Sequence, residues 1–177
     1  MTPTTIVPLA TIAPAAVEAL LDRAFGRDRH ARTAYLLRAD TQAIADLSLA
    51  VVDAAGGLVG SIQAWPVALG ADDGRTHPMV MVGPVAIEPD LQRAGIGRTL
   101  TAAMLANADA SAAPGARALM LIGDPEYYGR FFGFSADRTA GWRLPGPFEP
   151  RRLLARGPGV PHAPGVVGPR AMVTLAA

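Results

Sequence analysis

Two glycines in the string QRAGIGRTL, Gly95 and Gly97, stand where a helical pattern begins. Glycine is costly inside a helix and adds nothing to a core, so its double use at a helix start needs a reason. The unsatisfied N–H groups and the dipole of a helix N-terminus suit an anion, and a residue without a side chain lets that anion reach the backbone. The chemistry on offer is the cradling of a phosphate, with a plain tight turn as the alternative. The phosphate motifs are told apart by spacing. A P-loop needs GxxxxGK followed by Ser or Thr, a string the sequence lacks. The dinucleotide fingerprint GxGxxG would be GIGRTL, with Leu100 in the third glycine's place, and EPDLQRA separates the strand end near Ile87 from Gly95. In a dinucleotide fold the glycine follows its strand almost at once. Asp124, after the next strand, could imitate the ribose-binding acid, which keeps a nicotinamide-dependent oxidoreductase as a minor reading.

The elements around the glycines follow from periodicity. Thr4 to Leu9 reads as a strand, and in TIAPAAVEALLDRAF the residues Val17, Leu20, Leu21 and Ala24 recur at helical spacing, with Thr11 as cap and Pro14 in the first turn. RDRHARTAYLLRAD is a short helix or an ordered loop. Residues 46 to 69 read as a β-hairpin around DAAGG, with Pro66 marking an edge or a bulge. MVMVGPVAI is a buried strand that Gly83-Pro84 interrupts. A third helix runs from about Arg98 to Ala110, with Ile96, Leu100 and Met104 stacked four apart. RALMLIGD is a strand ending at Asp124, and PEYYGRFF a helix that starts on Pro125 and closes at Gly133. GWRLP and RRLLAR are weak strands, and the tail from Gly157 to Arg170 reads as irregular. The order β-α-(α)-β-β-β-α-β-α-β describes an α/β (α+β) domain.

Bulk properties narrow the chemistry further. A chain of 177 residues, half of them hydrophobic, fits one domain that can bury roughly 70% of its unfolded surface. Sixteen basic against fifteen acidic residues leave +1 without a long basic run, which argues against nucleic acid as a partner. The absence of Cys excludes disulfides, thiolate metal sites and a cysteine nucleophile, and fits a cytoplasmic location. The three histidines, His30, His77 and His162, lie too far apart for a zinc motif, so no metal is expected. The N-terminus has no early Lys or Arg and is broken by prolines, unlike a signal peptide, and no run of 18 apolar residues exists to span a membrane.

The string QRAGIG resembles the Q/R-x-x-G-x-G/A signature of the GNAT acyltransferase superfamily, whose members hold the pyrophosphate of acetyl-CoA on successive backbone amides. Its setting strengthens the likeness: VGPVAIEPDLQRAGIGRTL is similar to that family's strand, acidic-Pro loop, glycine turn and helix. YYGRFFGF resembles its aromatic-rich helix ending in Gly-Phe, in the style of a bacterial branch of predicted N-acetyltransferases. The resemblance covers residues 3 to 156. It implies a mixed, mostly antiparallel sheet of six to seven strands, splayed between the fourth and fifth and flanked by about four helices. It implies a domain over residues 1–157, followed by a Pro/Gly-rich tail over 158–177 that packs on the domain or on a partner subunit, as in a homodimer.

Carried onto this chain, the resemblance assigns residues as follows. Val85, Ala86 and Ile87 offer the strand edge along which pantetheine lies. Gln92, Arg93, Ala94, Gly95, Ile96, Gly97 and Arg98 form the pyrophosphate cradle, and Asp124 touches the pantetheine or, alternatively, caps the next helix. The implied reaction is direct attack by the primary amine of a small molecule or protein on the thioester of acetyl-CoA, in a ternary complex without a metal. An alkyl ammonium with a pKa near ~10.4 must first lose a proton, and Glu88 is the first candidate for that base, with His30 a weaker one. The departing thiolate, with pKa near ~8.5, benefits from an acid. The family commonly places a Tyr four residues before the Gly of Gly-Phe; here Tyr128 lies five before Gly133, and a helical bulge would restore its position, with Tyr127 as substitute. A non-catalytic acyl-CoA-binding protein is the alternative. Trp65, Trp142 and Tyr35 are candidates to wall the acceptor pocket.

Overall fold

The computed structural model describes residues 3–171. Within them the elements run β1 (Thr4–Pro8), α1 (Pro14–Phe25), α2 (Thr33–Leu36), β2 (Leu49–Asp53), β3 (Leu58–Ala71), β4 (Thr76–Ile87), α3 (Ile96–Ala110), β5 (Leu119–Ile122), α4 (Pro125–Phe132), β6 (Trp142–Arg143), β7 (Leu153–Arg156) and β8 (Gly165–Pro169). The main sheet path is β1-β2-β3-β4-β5-β7, and β8 pairs with both β3 and β6. Pairs β1–β2, β2–β3, β3–β8 and β5–β7 are antiparallel, whereas β4–β5 and β6–β8 are parallel. Eight strands thus stand where six to seven were expected, because the short β6 and β8 join the sheet off its main path.

The parallel β4–β5 register covers Val80↔Leu119 and Met81↔Met120, although β4 continues to Ile87 and β5 to Ile122. β4 runs unbroken through Gly83-Pro84, where the sequence suggested an interruption; Gly83 absorbs the local geometry with φ +110°, a value disfavoured for any residue with a Cβ. Pro66, without an N–H to give a ladder, falls between the segment of β3 that pairs with β2 and the segment that pairs with β8.

The chain divides into two compact units. The first comprises the residues through His30, Ala43–Ala64 and Val82–Ser111. Its α1 buries Val17, Leu20 and Leu21, the stripe read from the sequence, against Leu9, Ala50 and Ala86. Thr11 does not cap this helix: its hydroxyl donates to Pro8 O (2.7 Å) within the preceding turn, Ala13 takes the cap position, and Pro14 opens α1 as expected. On α3, Ile96, Leu100, Met104, Leu105 and Ala108 are buried.

The second unit comprises Ala31–Gln42, Trp65–Met81 and the residues from Ala112 onward. Its core gathers Leu37, Val67, Leu69, Met79, Met81, Met120, Trp142, Leu153 and Val167. β8 lies in the tail that the Pro/Gly content made look irregular, and Gly165 explains how it pairs so closely: a Cβ there would lie 2.3 Å from Gly70 O. No helix among the described residues is long and apolar enough to cross a membrane.

Candidate functional site

In the first unit, α3 begins two residues earlier than the pattern indicated, at Ile96, with Gly95 as its N-cap in the left-handed region (φ +77°, ψ 5°). No side chain among the described residues caps this end. The approach is built from stacked turns: Leu91 N donates to Glu88 O (2.8 Å) and Ala94 N to Leu91 O (3.0 Å). The first backbone bond of the helix is Thr99 N to Gly95 O (3.1 Å), so the amides of Ile96 and Gly97 stand in the first turn, ahead of the helix's own ladder. Gln92, Arg93, Ala94, Gly95 and Arg98 are exposed, which leaves the turn open to a ligand.

The two glycines differ in kind. Gly95 is required by its backbone angle, and no atom lies within 4 Å of where its Cβ would stand. Gly97 has ordinary helical angles, and a Cβ would sit 3.7 Å from Val85 Cγ1 and 3.7 Å from Ile87 Cγ1, a contact any alanine tolerates. Neither strain nor crowding by the protein therefore demands glycine at 97. The unused space faces the β4 residues expected to carry pantetheine, so the position fits a group that needs clearance there. Val85 is half-buried, while Ala86 and Ile87 are buried.

A third glycine, which sequence reading missed, positions the helix. A Cβ on Gly60 of β3 would stand 3.0 Å from Ile87 Cδ1, 3.1 Å from Ile96 Cγ2 and 3.3 Å from Leu100 Cδ1. Its absence lets α3 settle on the sheet; a lone glycine inside a strand pattern is the available signal for such close approach.

Glu88 leaves β4 with its N–H on Val59 O (2.9 Å), and both carboxylate oxygens accept from Arg23 on α1, Nε lying 3.0 and 3.2 Å away and one Nη also donating. This hydrogen bond raises Arg23 above its ordinary guanidinium value. A carboxylate so engaged serves as a base only where Arg23 lets go of it. Arg23 was not among the candidates, and with 65 residues between the partners no local pattern could announce it. Nearby in sequence, Arg29 is buried and held by Asp22 (Nε to Oδ1, 2.9 Å) and Glu18, which pins the turn after α1; His30 next to it is exposed.

In the second unit, Asp124 is the N-cap of α4, its Oδ1 accepting from Glu126 N (3.1 Å). Its carboxyl is held below the usual range by hydrogen bonds with the Glu126 side chain and amide, with Arg151 and Arg152 adding to the effect. Of the two roles weighed for Asp124, the cap is the one visible in the geometry. Helix α4 is regular: Tyr128 N donates to Asp124 O (2.9 Å), Gly133 ends it with φ +71°, and Phe134 N reaches back to Tyr128 O (3.3 Å). The helical bulge expected to absorb the extra Phe is absent, because the Asp124 cap and the Gly133 turn fix both ends of an eight-residue helix.

The Tyr128 ring lies over the end of β5, where a Cβ on Gly123 would come within 2.6 Å of Cε2. Around it stand Tyr127 (centroids 5.0 Å apart, edge-on), Phe132 (6.1 Å) and Phe134 (6.1 Å). Burial, then the neighbouring Tyr127 and Asp124, push its hydroxyl up to about 12, with Arg152 opposing. No hydrogen bond to that hydroxyl is found among the described residues. Tyr127 packs on Phe131 and Phe132 instead.

Also in this unit, the Arg38 guanidinium stacks on two rings, with Cζ 3.7 Å from the Tyr35 centroid and 4.5 Å from that of Trp65. Trp65 Nε1 is buried without a partner among the described residues, whereas Trp142 Nε1 donates to Ala163 O (3.2 Å) and is structural. No group of three or more potential metal ligands occurs among the described residues.

Solved structures carry the same architecture. A GNAT family N-acetyltransferase (YhbS) from Escherichia coli in complex with CoA is similar over 96% of this chain and 91% of its own, with 22% identity and a TM-score of 0.72. A GNAT family acetyltransferase from Brucella melitensis in complex with acetyl-CoA covers 96% and 97%, at 25% identity and a TM-score of 0.64. The chain has the GNAT fold. The same fold also occurs in a chain of the KacTA–DNA complex, at 22% identity and a TM-score of 0.50 over 88% and 93% of the two chains. No protein-family sequence profile and no curated protein matches the chain. The GNAT likeness first read in QRAGIG thus rests on the architecture as well, and structures of this fold hold CoA or acetyl-CoA.

Proposed function

We propose that this protein is an N-acetyltransferase that moves the acetyl group of acetyl-CoA to a primary amine of a small molecule or protein by direct attack. The observation that carries the reading is Gly97: a glycine with helical angles at an uncapped helix start, next to space facing Val85 and Ile87 that the protein leaves unused. A pyrophosphate seated on the amides of Ile96 and Gly97 uses first-turn donors and the helix dipole together. Arg93 and Arg98 add positive charge, Gln92 and Ala94 complete the turn, and the edge at Val85, Ala86 and Ile87 takes the pantetheine arm. A phosphate-backbone partner such as the DNA of the KacTA complex is not part of this reading, since the chain carries +1 overall and no basic run.

The reaction forms a C–N bond and breaks a C–S bond. One proton leaves the amine nitrogen and one reaches the thiolate, so the chain needs a route for each. Tyr128, whose burial keeps it protonated through the neutral range, is the proton donor in this reading. Glu88 is the base, acting once Arg23 moves aside on acceptor binding. That ion pair, with the unbulged α4, is also what favours the second reading, an acyl-CoA binder without turnover. Calorimetric titration with CoA gives binding under both readings. Turnover against an amine panel, lost in Tyr128→Phe and Glu88→Gln with CoA affinity retained, supports the enzyme; binding without turnover of any amine supports the binder.

A further inference from the structure

The segment that leads into the helix-start cradle is held from outside by one side chain. We infer that Arg23 is a positioning residue for CoA: by gripping Glu88 it fixes the root of residues 88–95 and so sets how tightly the amides of Ile96 and Gly97 take the pyrophosphate. This rests on the CoA-binding reading above, and every residue it uses lies in the first unit.

The segment has little else to hold it. Ile87 and Ile96 are buried, but none of residues 88 to 95 between them is, so the segment has no apolar anchor of its own. Its order comes from hydrogen bonds. Glu88 N donates to Val59 O on β3 (2.9 Å), Leu91 N to Glu88 O (2.8 Å) and Ala94 N to Leu91 O (3.0 Å), a chain of turns that starts at Glu88 and ends beside Gly95. Among the described residues, Glu88 is the one member of the segment whose side chain bonds to a residue outside it.

The partner stands on a firm footing. Arg23 lies in the last turn of α1, where a cation meets the negative end of the helix dipole, and Val17, Leu20 and Leu21 fix α1 in the core. Its Nε donates to both carboxylate oxygens, at 3.0 and 3.2 Å, and one Nη joins it, a fork instead of a point contact. An isolated surface ion pair contributes little, because two long side chains must be held in one geometry. Here Glu88 is already tied through its N–H and its C=O, so the grip of Arg23 passes directly to the main chain. A cradle ordered beforehand avoids the entropy cost of closing on its anion. When the acceptor draws Glu88 off Arg23, as its role as base requires, the grip is released and the ternary complex holds CoA less tightly than the binary one.

The test is a double-substitution cycle read by calorimetry with CoA. Arg23→Met keeps the aliphatic stem without a donor, and Glu88→Ala removes the carboxylate. Each is expected to raise the Kd for CoA about 3- to 10-fold, and the double variant no more than either alone. Glu88→Gln, whose amide oxygen still accepts from Arg23, is expected to keep CoA affinity. Hydrogen exchange of the unliganded protein reads the same grip without CoA: the Leu91 and Ala94 amides should exchange faster in Arg23→Met while those of β2 stay unchanged. Melting temperatures report whether each variant is folded. Unchanged CoA affinity in Arg23→Met overturns the inference while CoA binding stands. So do effects that multiply in the double variant, the mark of an arginine that meets CoA directly. If the wild-type protein binds no CoA, the reading beneath has failed, and hydrogen exchange decides the grip by itself: faster exchange in Arg23→Met keeps it, unchanged exchange overturns it.

Discussion

Replacing Gly97 by Ala separates a glycine kept for a ligand from one kept for the fold. Two terms set the effect on the unliganded protein, and both are favourable. Alanine is the better helix residue by about 0.5–1 kcal/mol. Its methyl would meet Val85 Cγ1 and Ile87 Cγ1 at 3.7 Å and Ile87 Cδ1 at 3.9 Å, inside ordinary van der Waals contact. For a chain of this length the sum corresponds to a melting temperature higher by roughly 1–4 °C. The effect on CoA runs the other way, because the methyl occupies the clearance between the α3 amides and β4. Losing one charge-assisted bond to the pyrophosphate removes about 1.5–3 kcal/mol, or about 10- to 150-fold in affinity. Differential scanning fluorimetry without ligand and calorimetry with CoA read the two quantities, with NADH as the control that should give no binding. A lower melting temperature would make Gly97 a structural glycine, and unchanged CoA affinity would refute the clearance argument.

Three other substitutions probe neighbouring claims. Gly60→Ala forces Ile87, Ile96 and Leu100 to yield by a few tenths of an ångström and should destabilise by about 1–3 kcal/mol in urea unfolding, weakening CoA binding as α3 lifts. Ser61→Ala removes a fully buried hydroxyl without a partner among the described residues and should raise stability by about 1 kcal/mol, measured the same way. For Tyr128 the folded value of about 12 lies above the ordinary 10, so the unfolded chain ionises first and stability falls as pH rises from 10 to 12. Tyr128→Phe should flatten that limb of the melting profile and cut turnover at neutral pH.

How much the sequence disclosed depended on whether a signal was local. The α1 stripe, the Pro14 start, the Asp124 cap and the Gly133 stop were legible, because each rests on neighbours within one or two turns. So was Gly95, although its left-handed angle could be inferred only from its place at the turn. The β8 strand was hidden by its Gly/Pro content, since what makes it a strand is the edge of β3 lying beside it. The Arg23–Glu88 pair, the Gly60 contact and the Arg38 stack join distant segments and leave no periodic trace. Helix α4 carries four aromatics in eight residues, yet Tyr127, Tyr128 and Phe132 are only partly buried and Phe131 is exposed, and they pack largely on one another. The extra Phe before Gly133 could be counted in the sequence, but that the helix would not bulge around it could not.

The chain contains no cysteine, so Ellman's reagent sees only the thiol released from acetyl-CoA. Continuous thiol release with an amine panel, paired with mass spectrometry of the amine, is therefore the most direct measurement of acetyl transfer. The account predicts release that depends on the amine, equals the amount of N-acetyl product and is lost in Tyr128→Phe. Release of no thiol with any amine, in a protein that binds CoA, would contradict it.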